Sequence, residues 1–369
     1  MPMKFELATE AHDAAVRRLL RDNPMPGWVS LSFEREPSFF LGASIEGDVH
    51  QTVVACDPDG RVAGLASRSV RDAYLDGAVG RLGYLSQVRI DPAFRGKSVL
   101  AGGWAKMREL HVADPVETYI TTIIAGNALA RRILEKDRPT KPCYRPRGEL
   151  HTLALVPRRG SLRSRLGWGS EVRRGTAGML PDIAACLQRN YARYQFAPHW
   201  TADALADPAL CRGLCAESFL VALRSGRVVG CLAVWDQQGF KQNVVRGYDR
   251  TLRVVRPLVN AVSRVAAIPR LPAVGEPIPQ ACLSHVAVDG DDASVLVAML
   301  ERALHEARLR KLAYLSLGLM DANPMLRPVR STFRHIDYRA VLYVVYWPDG
   351  EGRARRLDAR PAHVELATL

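Results

Sequence analysis

The chain has 369 residues, 48% of them hydrophobic and 24% charged; this is the composition of a folded globular protein and excludes a disordered or collagen-like chain. No stretch approaches the ~18–20 apolar residues that a membrane-spanning helix needs, and the polar, acidic residues 1–10 are expected to carry no secretory signal. The net charge of +13 comes from 44 Arg and 7 Lys against 38 acidic residues, and is spread as +6 over residues 1–170 and +7 over 171–369; such a charge suits phosphate-bearing ligands, nucleic acid or anionic membranes without choosing among them.

Residues 4–9 alternate as a strand. The spacing of Val16, Leu19 and Leu20 predicts a helix over 11–21, stopped by Asn23-Pro24-Met25-Pro26-Gly27. Strands are expected over 52–56 and 62–70, around the turn Asp57-Pro58-Asp59-Gly60, and over 82–90, reached through Asp76-Gly77. Asp91-Pro92 ends that strand. A short basic loop at 94–98 precedes a helix over 99–111, which Gly102 and Gly103 weaken. A β-branched strand over 118–124, a helix over 127–136 and a strand over 150–156 follow.

Residues 157–175 hold Arg158, Arg159, Arg163, Arg165, Arg173 and Arg174 between glycines and read as a solvated connector. The second half then repeats the order. A helix is expected over 181–196, a hairpin over 219–223 and 228–235 around Ser225-Gly226, and a strand over 282–288. A helix over 293–309, a strand over 312–317, a helix over 323–333 and a strand over 341–347 complete it. Repeated order in two halves implies duplication. The domains are placed at 1–157 and 176–348, with a linker at 158–175, an insertion at 240–270 and a tail at 349–369.

The seven cysteines, Cys56, Cys143, Cys186, Cys211, Cys215, Cys231 and Cys282, form no CxxC pair. They read as reduced thiols of a cytoplasmic protein, and no metal is expected, because Cys211 and Cys215 lack a second ligand pair at zinc spacing. The arginine skew marks a GC-rich, bacterial-like composition.

Chemistry concentrates in residues 85–107: a strand, a basic glycine-containing loop, then a helix. A helix N-terminus presents unpaired N–H groups and partial positive charge, and together these bind phosphate. Arg95 and Lys97 add charge at the rim, and Gly96 lets the backbone come close, so the loop suits a pyrophosphate.

Arg95-Gly96-Lys97-Ser98-Val99-Leu100 resembles the acyl-CoA loop of the GNAT superfamily of N-acyltransferases, Gln/Arg-x-x-Gly-x-Gly/Ala, with Ser98 in place of the first glycine and Leu100 in place of the second small residue. Asn127-Ala128-Leu129-Ala130-Arg131-Arg132-Ile133-Leu134-Glu135-Lys136 is similar to the family's Asn-x-x-Ala-x-x-Leu-Tyr-Glu-Lys, matching at Asn127, Ala130, Glu135 and Lys136. Two motifs in the right order are more specific than either alone. The resemblance covers residues 4–156. It implies an α+β (mixed α/β) fold of two GNAT-like domains, each a central, mostly antiparallel mixed sheet flanked by helices. It further implies acetyl-CoA, or another acyl-CoA, held by the backbone at Val88, Arg89 and Ile90, by the loop Arg95, Gly96, Lys97, Ser98 and Val99, and by Asn127 near the thioester.

Leu134 stands where the family has its general-acid tyrosine, which leaves Tyr144, ten residues on, as the candidate acid. No glutamate base stands on the strand that holds Tyr84, Ser86 and Gln87. In the second half, Asp289-Gly290-Asp291-Asp292 puts carboxylates where a pyrophosphate would lie, so that half is expected to be a degenerate copy without CoA, its aspartates capping a helix and His285 structural.

Residues 240–270 carry Lys241, Arg246, Arg250, Arg253, Arg256, Arg264 and Arg270 against Asp249 alone. Arg246, Arg250 and Arg253 share a helical face opposite Val245, Tyr248, Leu252, Val255 and Val259, so a basic amphipathic helix broken by Pro257 is expected. It covers the substrate cleft, docks an acidic partner through 240–256, or lies on an anionic membrane.

The favoured function is transfer of acetyl from acetyl-CoA to a small-molecule or peptide amine in a ternary complex. Two alternatives stand beside it: a non-catalytic acyl-CoA-binding or scaffold protein, and aminoacyl transfer from tRNA. The last lacks any RNA-recognition signature, and nucleic acid is not an expected partner.

Overall fold

The computed structural model describes residues 3–96, 98–157, 170–262 and 270–369. Strands form where β-branched and aromatic residues run between Gly, Pro and Asp turns, and helices where apolar residues recur every three to four positions. The first half runs β1 (Lys4–Leu7), α1 (Asp13–Asp22), β2 (Val29–Glu34), β3 (Val49–Cys56), β4 (Val62–Leu75), β5 (Ala78–Ile90), α2 (Val99–Ala113), β6 (Tyr119–Ile124), α3 (Ala128–Glu135) and β7 (Cys143–Leu155). The second runs β8 (Ser170–Arg174), α4 (Leu180–Tyr191), α5 (Ala202–Ala206), β9 (Phe219–Arg224), β10 (Arg227–Trp235), β11 (Gln242–Tyr248), α6 (Arg250–Val262), β12 (Gln280–Val288), α7 (Ala293–Leu309), β13 (Tyr314–Met320), α8 (Leu326–Thr332), β14 (His335–Tyr346) and α9 (Glu351–Arg356).

Twelve strands make one sheet in the order β1-β3-β4-β5-β6-β14-β7-β13-β12-β10-β9-β8. The order is symmetric about the β14–β7 pair. The two halves match strand for strand, and α1, α2 and α3 of the first correspond to α4, α7 and α8 of the second. The last strands are exchanged. β14 pairs with β6 from Ala340↔Ile124 to Val345↔Tyr119, whereas β7 pairs with β13 from Leu315↔Leu155 to Met320↔Leu150. β14 and β7 zip together from His335↔Leu155 to Tyr346↔Cys143. Eight of the twelve strands run antiparallel to their neighbours throughout; the parallel contacts are β5–β6 and β12–β13.

Three expectations need correcting. Ser170–Arg174, taken as connector, is β8, paired with β9 from Ser170↔Arg224 to Arg174↔Leu220; residues 158–169 lie outside the described ones. Arg246 lies on β11, not on a helix. Its strand pairs with β2 from Gln242↔Glu34 to Tyr248↔Val29 in a separate two-stranded sheet, and the Arg246 guanidinium binds Glu34. Pro257 lies inside α6 without ending it.

One face of the first half packs under α2, where Trp104, Met107 and Leu110 meet Leu85, Tyr119, Ile123 and the exchanged Val341, Tyr343 and Val345. In the second half Leu296, Met299, Leu300 and Ala303 of α7 do the same against Leu232, Leu283, Leu315 and Leu317. Each such side chain contributes about 1.5–3 kcal/mol on burial. Gly102, a poor helix former, is explained by this packing: a Cβ there would stand 2.2 Å from the Phe5 ring, so only glycine lets α2 come down onto β1.

Candidate functional site

β5 and β6 run side by side but pair only at Gly83↔Tyr119 and Tyr84↔Ile120. The Thr121 hydroxyl donates to the Leu85 carbonyl at 2.6 Å and marks the end of the contact. Beyond it the strands part, and among the described residues no strand lies beside Ser86–Ile90 on that side; β4 holds the other. Unpaired strand backbone is a ready partner for an extended ligand.

That edge is also kinked. Gln87 has φ 57, and the β4–β5 register slips between Leu65↔Arg89 and Ser67↔Ser86. Such a bulge re-aims the backbone at a chosen point. β12 repeats it: His285 has φ 53, with the β10–β12 register slipping between Cys231 and Ala233. The sequences correspond, Leu85-Ser86-Gln87-Val88-Arg89-Ile90-Asp91 against Leu283-Ser284-His285-Val286-Ala287-Val288-Asp289. This pair of motifs is the identity between halves that reading by element order missed.

The strand leads straight into the basic loop. Asp91 pins its start, accepting the Ala93 N–H at 2.9 Å and pairing with Arg61 at 2.5 Å. Arg95 and Gly96 are exposed, Gly96 has φ 80, and Lys97 lies outside the described residues. Ser98 adopts φ 49 as N-cap of α2, and its side chain makes no cap bond. The first intrahelical bond in this turn is Gly102 N–H to Ser98 O, so the N–H groups just after Ser98 face outward without intrahelical partners. Leu100 is half-buried against the core. With Val88, Ile90, Val99, Gly103 and Trp104 it lines a cavity of about 30 Å³ between α2 and the β5 tail. Its bulk therefore points away from the loop. Asn127 caps α3, its side chain accepting the Ala130 N–H at 3.2 Å. Val88, Arg89, Ile90, Arg95, Gly96, Ser98 and Val99 thus follow one another along the open edge and into the α2 N-terminus, while Asn127 sits across the split, after β6.

Tyr144 is elsewhere. It is 2% exposed, wedged edge-on between Trp104 at 6.0 Å and Tyr343 at 6.2 Å under α2. The phenol at the split is Tyr84. It projects from the opposite face of β5, with the Thr122 hydroxyl beside it, and burial pushes its pKa well above the ordinary 10.

On that opposite face lies a buried polar cluster that sequence reasoning did not find. Glu46, 1% exposed, binds the Arg35 guanidinium and accepts the hydroxyls of Ser86 at 3.1 Å and Ser69 at 3.4 Å. His50 Nδ1 lies 2.9 Å from Ser69 Oγ and 3.7 Å from Glu46, and burial lowers its pKa, so the imidazole is neutral. Arg71 donates to the carbonyls of Ile45 and Glu46 and to Thr368 Oγ1, at 2.6, 3.1 and 2.9 Å. Lys241 donates to Ala367 O and Leu369 O, and burial brings its pKa down to about 8. These residues come from 35–50, β4, β5, 241 and 365–369. No local motif announces them, because a loop, two neighbouring strands and two distant segments meet there only in the folded chain.

The three carboxylates of the loop 289–292 are all engaged. Asp292 caps α7 through Ser294, Asp289 holds Arg189 and Asn190, and Asp291 holds Arg193. His285 is fully buried, its ring tilted at 46° against Trp200 with centroids 4.5 Å apart; burial lowers its pKa to about 3. Among the described residues, one group, Glu6, His12 and Cys56, brings ligand atoms within 4.8 Å of one another. His12 Nδ1 accepts the Thr9 N–H, so in the neutral ring Nε2 carries the proton and faces Glu6 at 3.7 Å. That is the wrong tautomer for a metal at Nε2.

No protein-family model matches the chain, and no curated protein matches it in sequence. Solved structures match its fold. A GCN5-related N-acetyltransferase from Sphaerobacter thermophilus superposes with TM-score 0.55 at 16% identity, over 100% of this chain and 98% of its own. A tandem GNAT protein from the clavulanic acid biosynthesis pathway gives 0.56 at 12%, over 94% and 98%. Saccharomyces cerevisiae N-myristoyltransferase with bound myristoyl-CoA gives 0.59 at 10%, over 93% and 82%. With the split between parallel strands repeated in both halves, these matches give the chain the tandem-domain fold of the GNAT superfamily.

Proposed function

We propose that the protein is a cytoplasmic N-acyltransferase that moves an acyl group, most simply acetyl, from acyl-CoA to an amine. The observation that carries this reading is the unpaired, bulged edge of β5 running into the open N-terminus of α2. In this reading the pantetheine arm pairs with the backbone at Val88, Arg89 and Ile90, like an added strand. The pyrophosphate rests on Arg95, Gly96, Lys97, Ser98 and Val99, and Asn127 closes the other side. Residues 1–157 supply the cofactor loop, and residues 176–348 shape the acceptor pocket without holding CoA.

The amine approaches from the face that carries Ser86 and Glu46. Glu46 stays ionised against Arg35; neutral His50, in the same hydrogen-bonded network, is the group able to take the one proton that a neutral amine sheds on acylation. The amine nitrogen attacks the thioester carbonyl, the C–S bond breaks, and the Tyr84 phenol, rather than Tyr144, protonates the leaving thiolate. Holding both reactants at the split supplies much of the acceleration.

The test is calorimetric titration of acetyl-CoA into the full chain and into Gly96→Val, followed by an amine screen for released thiol. A side chain at φ 80 is strained whatever the space, so the variant is expected to bind at least several-fold more weakly. Equal affinity would remove the loop from the site. Binding without thiol release from any amine would favour the non-catalytic acyl-CoA-binding reading.

A further inference from the structure

The outward face of α6 breaks the rule that a surface helix turns its polar side to water. Its inward side is already anchored. Leu252, Val255 and Val259 are half-buried, Arg256 donates to Leu271 O at 3.2 Å and stands 5.7 Å from the Tyr248 ring, and Asn260 exchanges two bonds with Leu271, at 3.0 and 2.8 Å. Arg256 and Asn260 thus point in. Outward, at i, i+4 and i+8, come Val254, Leu258 and Val262, which are 78%, 67% and 38% exposed. Trp28, 79% exposed, belongs to the same end: its carbonyl accepts the Asp249 N–H at 3.0 Å, one residue before the helix begins. Arg250 and Arg253 are exposed on the first turn, and residues 250–262 contain no acid.

We propose that α6 and Trp28 dock the protein on an anionic lipid surface, with the helix lying in the plane of the interface. Three features choose this occupant. The exposed aliphatic side chains stand clear of their neighbours as knobs, so a protein partner would have to bring a preformed groove, whereas a bilayer interface yields around them. An exposed tryptophan at the start of the same helix matches the chemistry of the headgroup boundary. Arg250 and Arg253 face outward without a countercharge on the helix, on a chain of net charge +13. A second copy of the same face would set arginine against arginine, while anionic headgroups complement it.

The experiment is co-sedimentation of the full chain with vesicles of phosphatidylcholine alone and of phosphatidylcholine with phosphatidylglycerol, at low and high salt. Sedimentation is expected with the anionic vesicles only, weakening with salt. Val254→Asp with Leu258→Asp should lower the partition coefficient about a hundredfold, roughly tenfold for each buried side chain lost. Arg250→Gln with Arg253→Gln should lower it by roughly tenfold or more. These positions are exposed, and unchanged thermal melts will show that the variants fold. No sedimentation with anionic vesicles overturns the proposal. So does equal sedimentation of wild type and the Val254/Leu258 variant, which would assign binding to diffuse charge. Self-association that the variant abolishes, with no vesicle binding, assigns the face to a second copy and overturns it as well.

Discussion

Replacing Glu46 with Gln tests whether the buried cluster beside the split is held by charge. Burial pushes this carboxyl's pKa up, but the surrounding cations, the Arg35 guanidinium foremost, together outweigh it, and the pKa sits at about 2 instead of 4.5. At about 1.4 kcal/mol per pH unit, the cluster prefers the charged form by roughly 3 kcal/mol, in line with the ~3–5 kcal/mol usual for breaking a buried pair from one side. Glu46→Gln should therefore lose about 3 kcal/mol near pH 7. The pH dependence has a definite sign. A depressed carboxyl pKa gives stability that is complete above the unfolded value and is lost as pH falls through the folded one. The gap between wild type and variant should hold above about pH 5 and close toward pH 2, where Glu46 is itself neutral. Urea melts of both proteins at several pH values measure it. A gap under about 1 kcal/mol near neutrality, or one that stays constant down to about pH 3, would refute the reasoning.

Tyr84→Phe should reduce kcat by about a hundredfold while acetyl-CoA binding stays within about twofold. Tyr144→Phe should leave kcat near wild type, and the reverse result would return the proton to Tyr144. Burial lowers the pKa of His285 to about 3 and of His363 to about 4, from an ordinary 6.5. Both are neutral when folded and bind protons when unfolded, so their contribution is present above about pH 6.5 and lost as pH falls below it. His363→Phe should flatten the fall in stability between about pH 6.5 and 4, as measured by urea melts.

Elements with a strong local period were legible in the sequence. The helix over 293–309 is α7 residue for residue, and the hairpin around Asp57-Pro58-Asp59-Gly60 pairs β3 with β4. The basic loop before α2 was legible because glycine, charge and helix start are adjacent in sequence. What escaped depends on distant partners. β2, at Val29–Glu34, has a strand only because β11 lies beside it. Reading Arg246 with Arg250 and Arg253 as one helical face failed because Val244, Val245 and Tyr248 are buried on a strand. Tyr144 is ten residues from Leu134, but nearness along the chain does not say which face of the sheet a side chain takes. Glu46 and Arg35 lie in a region with no periodic pattern and became candidates only through what surrounds them.

The exchanged strands make a last prediction that element order alone could not. If the two halves were separate folding units, residues 1–157 and 176–369 would each be stable alone. Yet β7, the last strand of the first half, finds its neighbours in β13 and β14, and β6 closes its open edge with β14. Cut free, the first half would expose the β6 edge and strip the α2 core of Val341, Tyr343, Val345 and Trp347. At about 1.5–3 kcal/mol for each buried side chain, the loss approaches the whole stability of an ordinary domain, about 5–15 kcal/mol. Each fragment alone should therefore aggregate or remain unfolded by circular dichroism, whereas the two expressed together, with the chain cut in 158–169, should co-purify as one folded complex. A first half that folds alone with a sharp thermal transition would show that the β14–β7 exchange is dispensable. It would also mean that acyl-CoA binding could be assigned to residues 1–157 by simple truncation, which the present topology forbids.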